Sequence, residues 1–375
     1  MAGEKIKVIN VITDSNIGGA GYLLYNNLKH SDRDVFEHVI ILPQNSLLRA
    51  KLEPLGFRII EVGGMAETTF SFGAVKKLKR VFKVEKPNIV HAHAALSARV
   101  AARLARIPVI YTRHCAFDLP KRQKTWLMRL IQGTINNALS DLIIAVSPAA
   151  ADNLEETGVN MKKVRVIFNG ADPLDPLTDD EKIEARKLFG VKEGDFVCTI
   201  LARLTPVKGH EYIIEAARIL GDDSLRILIA GTGEIEAQLK QQAQGLNSVV
   251  FVGFINEPRT VLGISDVQLN ASYGTETTSL ALIEGMSLGL PTIASNHGGT
   301  PWVVETGANG LLIEKKSAEA FVAAIKELKG NADMMKQLSV GALERYERFR
   351  ASRMSAEVDE VYKDVYAGTR TKAAR

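Results

Sequence analysis

The chain has 375 residues, 46% hydrophobic and 24% charged, with a formal net charge of +4. That length is ordinary for two domains with full cores, and the near-balanced charge gives no nucleic-acid signature. Cys115 and Cys198 lie far apart without a CxxC, the N-terminal apolar run is too short for a signal peptide, and no apolar run reaches membrane-spanning length, so a disulfide framework, a cysteine zinc site and a membrane span are not expected and a reducing, cytoplasmic setting is.

Residues 6–13 (IKVINVIT) are predicted as a strand covered on both faces. Asn16 and Gly18-Gly19-Ala20-Gly21 follow, then a helix over 22–28. A strand, a glycine loop and a helix start suit close approach by a phosphate or sugar, or serve simply as a tight turn. A dinucleotide fingerprint is excluded: GxGxxG needs glycine at Leu24, and the next strand, 38–42, ends in Pro43-Gln44 rather than an acid.

Strands are predicted at 57–62, 88–92 and 108–112, with helices at 72–84 and 95–105. The 72–84 helix carries Lys76, Lys77, Lys79, Arg80 and Lys83, which read as its wet face. His91 and His93 end one strand and Arg113-His114 another, and in open α/β sheets ligands bind at the carboxyl ends of strands. A lone histidine is more often structural; the position of His114 favours function.

Residues 119–139 form a basic amphipathic pattern: Lys121, Arg122, Lys124 and Arg129 with Trp126, Leu127, Leu130 and Ile131. The favoured reading is a surface helix packed by its apolar stripe; the other is peripheral contact with an anionic membrane through 121–131, at the inner face of the membrane. A strand at 142–146, a helix opened by Ser147-Pro148 and a strand at 164–168 lead to Asn169-Gly170-Ala171-Asp172. Residues 173–180 read as a linker, with Thr178 or Asp179 capping a helix over 181–189.

The rhythm then restarts, with strands at 196–201, 225–230, 249–252, 267–270, 292–294 and 310–313 and helices at 211–220 and 318–329. Arg203 and Lys208 follow the first of these strands, Gly231-Thr232-Gly233 the second and Gly253-Phe254 the third. A last helix is predicted near 355–366, with 369–375 as a frayed tail.

Residues 270–287 (NASYGTETTSLALIEGMS) stand out. Thr275, Thr277, Thr278 and Ser279 offer cap hydroxyls for a helix that runs to Gly289, with Pro291 beyond. Leu280, Ala281, Leu282, Ile283, Met286 and Leu288 leave it almost no polar face, so it should be buried, and Glu284 with it. Glu276 precedes the helix mouth, whose open N–H groups form an anion site. Glu276 could instead serve the helix dipole, and Glu284 could pair with a structural cation.

Two successive βαβ series imply an α/β protein of two doubly wound Rossmann-like domains, at 1–175 and 176–352, facing each other across a cleft. Residues 353–375 would form a helix and tail packing back on the first domain.

In this order and spacing the chain resembles the retaining glycosyltransferases of the GT-B fold, family 4, over nearly its whole length. The resemblance rests on Gly18-Gly19, His114, Val146-Ser147, Asn169-Gly170-Ala171-Asp172, Arg203 and Lys208 in RLTPVKG, Gly231-Thr232-Gly233, Gly253, Glu276-x7-Glu284, GMSLGLPTIAS and Gly298-Gly299. It departs from the family where Glu276 is followed by Thr277-Thr278 rather than the usual glycine-containing stretch, and where Pro301-Trp302 replaces Pro-Glu.

The resemblance implies transfer from a nucleotide sugar, most often a UDP-sugar, to a glycan, lipid-linked or small-molecule acceptor in cell-envelope or exopolysaccharide synthesis. Arg203 and Lys208 would hold the diphosphate, with the amides near Ser279, Leu280 and Ala281. Gly253 and Phe254 would lie on the donor, Glu284 would accept from ribose hydroxyls, Glu276 would face the sugar and His114 would contact it. Gly18 and Gly19 would let phosphate and acceptor approach, with Asn16 and Asn169 as sugar or acceptor contacts. Neither cofactor nor metal is implied, and no metal-ligand cluster is visible in the sequence. Two alternatives share the fold or the ligand: a UDP-N-acetylglucosamine 2-epimerase and a non-catalytic nucleotide-sugar-binding protein.

Overall fold

The computed structural model describes residues 4–116, 120 and 125–373, with side chains as far as Thr369. The chain forms two compact units: Met1–Gly170 with Ala351–Arg375, and Ala171–Arg350.

The first unit is built on seven parallel strands: β1 (Ile6–Ile12), β2 (Phe36–Pro43), β3 (Arg58–Val62), β4 (Ile89–His93), β5 (Val109–Arg113), β6 (Leu142–Ala145) and β7 (Val164–Val166), in the order β3-β2-β1-β4-β5-β6-β7. The central strands are apolar runs because both faces are covered. Ile9, Val11, Val39 and Ile41 meet Val75, Leu78 and Phe82 of the helix Phe72–Glu85 and Ala98, Ala101 and Ala102 of the helix Leu96–Leu104. On the other face Val8, Ile89, Ile110 and Ile144 meet Met354, Val358, Val361, Tyr362 and Val365 of the C-terminal helix. That helix, Ala351–Ala373, is longer than the sequence suggests, and its apolar residues recur at helical spacing. The tail expected to fray stays helical as far as Ala373.

The second unit has six parallel strands: β8 (Phe196–Leu201), β9 (Leu225–Ala230), β10 (Val249–Gly253), β11 (Val267–Asn270), β12 (Thr292–Ser295) and β13 (Gly310–Ile313), in the order β10-β9-β8-β11-β12-β13. The helix Ala332–Tyr346 escaped the sequence reading. Its buried residues are only Leu338, Ala342 and Tyr346, a stripe too thin to register against a polar background, and Asn331 caps it by accepting from the Met334 amide (2.9 Å).

The helix Trp126–Leu139 corrects an expectation. It packs through its polar and glycine side, not its apolar stripe. A Cβ on Gly133 would collide with the Gly158 carbonyl, so the backbones approach as only glycine allows. Beside Gly133, Asn136 Oδ1 accepts from Arg99 (2.9 Å) and Asn137 Oδ1 from the Asn160 amide (2.8 Å). Trp126 is left 76% exposed and Leu130 57%, with Leu127, Ile131 and Ile135 also outward. Lys121, Arg122 and Lys124, three of the four basic residues of the alternative membrane-contact reading, lie outside the described residues. Among the described residues no helix is long and apolar enough to cross a membrane.

Candidate active site

A parallel sheet opens a crevice at the carboxyl edge where its strand order reverses. In the second sheet that point lies between β8 and β11. Arg203 and Lys208 leave β8, and Glu276 and Ser279 leave β11, so the candidate diphosphate clamp and the candidate sugar contact straddle it. The two loops interlock. Gly209 has φ +69°, and a Cβ there would strike the Ala271 carbonyl oxygen, so glycine alone brings this loop so close to the end of β11. The Tyr273 amide then donates to the Val207 carbonyl (2.9 Å), and the Gly299 amide donates to that of Glu276 (3.1 Å).

This interlocking reverses the expected burial of the two acids. Glu276 is the buried one, 6% exposed. Its Oε2 accepts from Lys208 Nζ (2.8 Å), Ser272 Oγ (2.8 Å) and Asn270 Nδ2 (3.5 Å). Burial pushes the carboxyl up, but the Lys208 charge and these donors outweigh it and hold Glu276 below the usual carboxylate range. Glu284 is only half-buried, because the helix Leu280–Ser287 turns Leu282, Ile283, Gly285 and Met286 inward and leaves Leu280, Ala281 and Glu284 on its more open side. The helix follows Ser279, and of the four hydroxyls offered as caps, those of Thr275, Thr277, Thr278 and Ser279, this one at the cap position makes no capping bond.

Arg203 is exposed. Gly253 has φ +74°, its carbonyl accepts from the Gly231 amide (2.8 Å), and Phe254 beyond it is 68% exposed. All these groups leave carboxyl ends of strands of one sheet.

In the first sheet the order reverses between β1 and β4. Asn16 and Gly18 follow β1, His93 ends β4, His114 follows β5 and Asn169 lies past β7, again along one carboxyl edge. Gly18 starts the helix Gly19–His30 with ordinary extended backbone, and a Cβ on Gly19 would meet nothing within 4 Å. The protein's own packing therefore does not demand glycine at Gly19. His114 is half-buried, with Nε2 3.1 Å from His93 Nδ1, and burial lowers its pKa to about 4. It is neutral at neutral pH. Asn169 is buried, and Asn16 is exposed.

Sequence reasoning missed Ser272 and Asn270, which hold Glu276, and the direct Lys208–Glu276 pair. Short polar residues at the end of an apolar strand and just past it were the available signal. Among the described residues no group of three or more His, Cys, Asp or Glu is placed to hold a metal ion.

The family model for Glycosyltransferase Family 4 matches residues 17–173, and that for Glycosyl transferases group 1 matches residues 181–345. A UDP-Gal:alpha-D-GlcNAc-diphosphoundecaprenol alpha-1,3-galactosyltransferase of Escherichia coli is 31% identical over 264 residues, 66% of this chain and 68% of that one. An N-acetyl-alpha-D-glucosaminyl L-malate synthase of Bacillus anthracis is 24% identical over 307 residues, 79% of this chain and 80% of that one. The fold matches that of Anabaena Alr3699/HepE in complex with UDP and glucose, with a TM-score of 0.82 at 21% identity over 96% of this chain and 100% of that one. With these matches to its sequence and to both its parallel sheets, the chain belongs to the group 1 glycosyltransferases of family 4, enzymes of the GT-B fold.

Proposed function

We propose that this glycosyltransferase moves a sugar from a UDP-sugar to a glycan, lipid-linked or small-molecule acceptor in cell-envelope or exopolysaccharide synthesis, with retention of anomeric configuration and without a metal. The carrying observation is the pairing of Lys208 with buried Glu276 across the switch point, beside exposed Arg203 and a helix mouth that the Ser279 side chain does not cap. Cleavage of the glycosidic bond places negative charge on the leaving diphosphate, and cations fixed in advance stabilise that charge as it develops. Arg203, Lys208 and the amides of Leu280 and Ala281 take this role. A solved neighbour holds UDP, one relative named above is a galactosyltransferase from UDP-Gal to a diphosphoundecaprenol-linked GlcNAc, and another is a synthase of N-acetyl-alpha-D-glucosaminyl L-malate, which supports the same classes here.

The three hydrogen bonds to Glu276 Oε2, from Lys208, Ser272 and Asn270, draw charge from the carboxylate and weaken it as a nucleophile. That favours attack on the same face: the acceptor hydroxyl enters beside the departing phosphate, which takes its proton, while Glu276 and His114 hold sugar hydroxyls. Proton NMR of the product tests this through the anomeric coupling, which should match the donor's; an inverted linkage would remove the chain from the retaining class. A sugar adduct on Glu276 in intact-protein mass spectra would replace same-face attack by a covalent intermediate.

Glu284 is the proposed ribose contact. Glu284→Ala should keep its fold, since the residue is only half-buried, and should bind free UDP more weakly by calorimetry. Unchanged UDP affinity would leave Glu284 a structural role.

The outward apolar face of Trp126–Leu139 supports peripheral contact with an anionic membrane. Between Asp118 and Asp141 the sequence has Lys121, Arg122, Lys124 and Arg129 and no acid. The protein should float with vesicles containing phosphatidylglycerol and not with neutral ones, and Leu130→Glu should abolish flotation. Equal recovery with both vesicle types would contradict the contact.

A further inference from the structure

The loop that carries Glu276 is gripped by a histidine that the proposed chemistry does not use. His297 stands in the loop after β12, just ahead of Gly298 and Gly299, and is half-buried. Its Nε2 lies 2.7 Å from the Gly274 carbonyl oxygen, and its Nδ1 lies 3.2 Å from Nζ of Lys315, which follows β13. Both ring nitrogens are engaged, and the loops after β11, β12 and β13 meet at this one ring.

The two partners have fixed roles. A carbonyl oxygen only accepts, and a lysine ammonium only donates. His297 Nε2 therefore carries the hydrogen given to Gly274, and Nδ1 offers its lone pair to Lys315. A hydrogen on Nδ1 would point at the ammonium, so the ring is the Nε2–H tautomer.

The Gly274 carbonyl also accepts from the Glu276 amide (3.0 Å), so the turn that sets the Glu276 backbone closes on the same oxygen that His297 holds. The residues after His297 complete the grip: a Cβ on Gly298 would lie 2.5 Å from the Glu276 carbonyl oxygen, to which the Gly299 amide donates. On the other side a Cβ on Gly274 would lie 2.5 Å from Val207 Cβ, so the turn is wedged between this loop and the one that carries Lys208. Lys316 Nζ covers the Tyr273 ring, 4.3 Å from its centre. Lys208, Ser272 and Asn270 hold Glu276 by its side chain, at Oε2. The loop after β12 holds its main chain, and a group that meets substrate needs both, because productive geometry is lost within about 0.5 Å.

We propose that His297 is a positioning residue for sugar transfer: its Nε2–H donates to the Gly274 carbonyl and so fixes the turn that presents Glu276 to the transferred sugar. The proposal rests on the reading of Glu276 as a sugar contact. Without the imidazole, the Gly274 carbonyl keeps only the three-residue turn closed by the Glu276 amide.

Long-range proton–nitrogen NMR of the full chain, labelled on histidine, should show His297 protonated on Nε2. Turnover is read as transfer to pooled acceptors from whichever of UDP-glucose, UDP-galactose and UDP-N-acetylglucosamine serves best. His297→Leu removes the donor and should lower kcat roughly three- to tenfold, the worth of one hydrogen bond. Free UDP, which carries no sugar, should bind as before by calorimetry. His297→Gln places an amide nitrogen where Nε2 stood and should restore most of the turnover. In a Glu276→Gln background the His297→Leu change should cost little more, because both act through one residue. A His297 protonated on Nδ1 alone, full turnover in His297→Leu beside a slow Glu276→Gln, a matching loss of UDP affinity, or fully additive losses in the double variant would overturn the proposal. Full turnover in Glu276→Gln would sink the sugar-contact reading, and the proposal with it.

Discussion

Lys208→Met should cost both stability and turnover. Lys208 is the charged partner of a carboxylate that is almost wholly buried, and removing one member of such a pair leaves an uncompensated charge, at about 3–5 kcal/mol. Ser272 and Asn270 remain as donors, which places the loss toward the lower end of that range. Turnover should fall by roughly tenfold or more, because the leaving diphosphate loses a fixed cation.

The pH dependence separates the two effects. In the unaltered protein Glu276 titrates below its unfolded value, so its contribution to stability is present above the unfolded pKa and is lost as pH falls through the folded one. Without Lys208 the burial of Glu276 is opposed only by neutral donors, and its pKa should rise. The variant should then regain stability relative to the unaltered protein as pH falls toward the carboxylate range. The double variant Lys208→Met/Glu276→Gln should recover stability near neutral pH without recovering turnover. Thermal melts across pH and a turnover assay at saturating donor check both arms; a Lys208→Met protein with unchanged melting and full turnover would remove Lys208 from the site.

Arg203→Ala should behave differently. Arg203 is exposed, so its loss should leave the melting temperature nearly unchanged. Turnover should still fall by roughly tenfold or more, since a cation aimed at developing charge acts on the transition state. The contrast is diagnostic of the proposed clamp, in which Lys208 would stabilise both fold and reaction and Arg203 the reaction alone. Full turnover of a folded Arg203→Ala protein at saturating donor would break the clamp.

The two parallel sheets were legible because doubly covered strands read as uninterrupted apolar runs, such as IKVINVIT around β1 and LRILIA for β9. The helix that follows β11 was legible too: Gly289, at φ +76°, stands where the sequence placed its stop. The burial of the two acids was not. Periodicity reports which face of a helix turns inward, but Glu276 lies in a loop, and its burial comes from other loops that the chain supplies far away, at Lys208 and Gly299. Trp126–Leu139 misled for a related reason. An apolar stripe does not say which side of a helix faces the protein when Gly133 lets the opposite side approach more closely. His93 looked like one more strand-end histidine until the fold set it against His114.

The most direct test of a metal-independent UDP-sugar transferase is a mass-spectrometric assay of UDP-sugars against pooled glycan, lipid-linked and small-molecule acceptors in excess EDTA. The expected result is an acceptor that gains the mass of one sugar residue as UDP is released, with Arg203→Ala forming it roughly tenfold or more slowly than the unaltered protein. Conversion of a donor to its epimer without acceptor, or a donor bound and left intact with every acceptor, would contradict transferase activity. Transfer that stops in EDTA and returns with magnesium or manganese would contradict a clamp built from Arg203, Lys208 and the helix end.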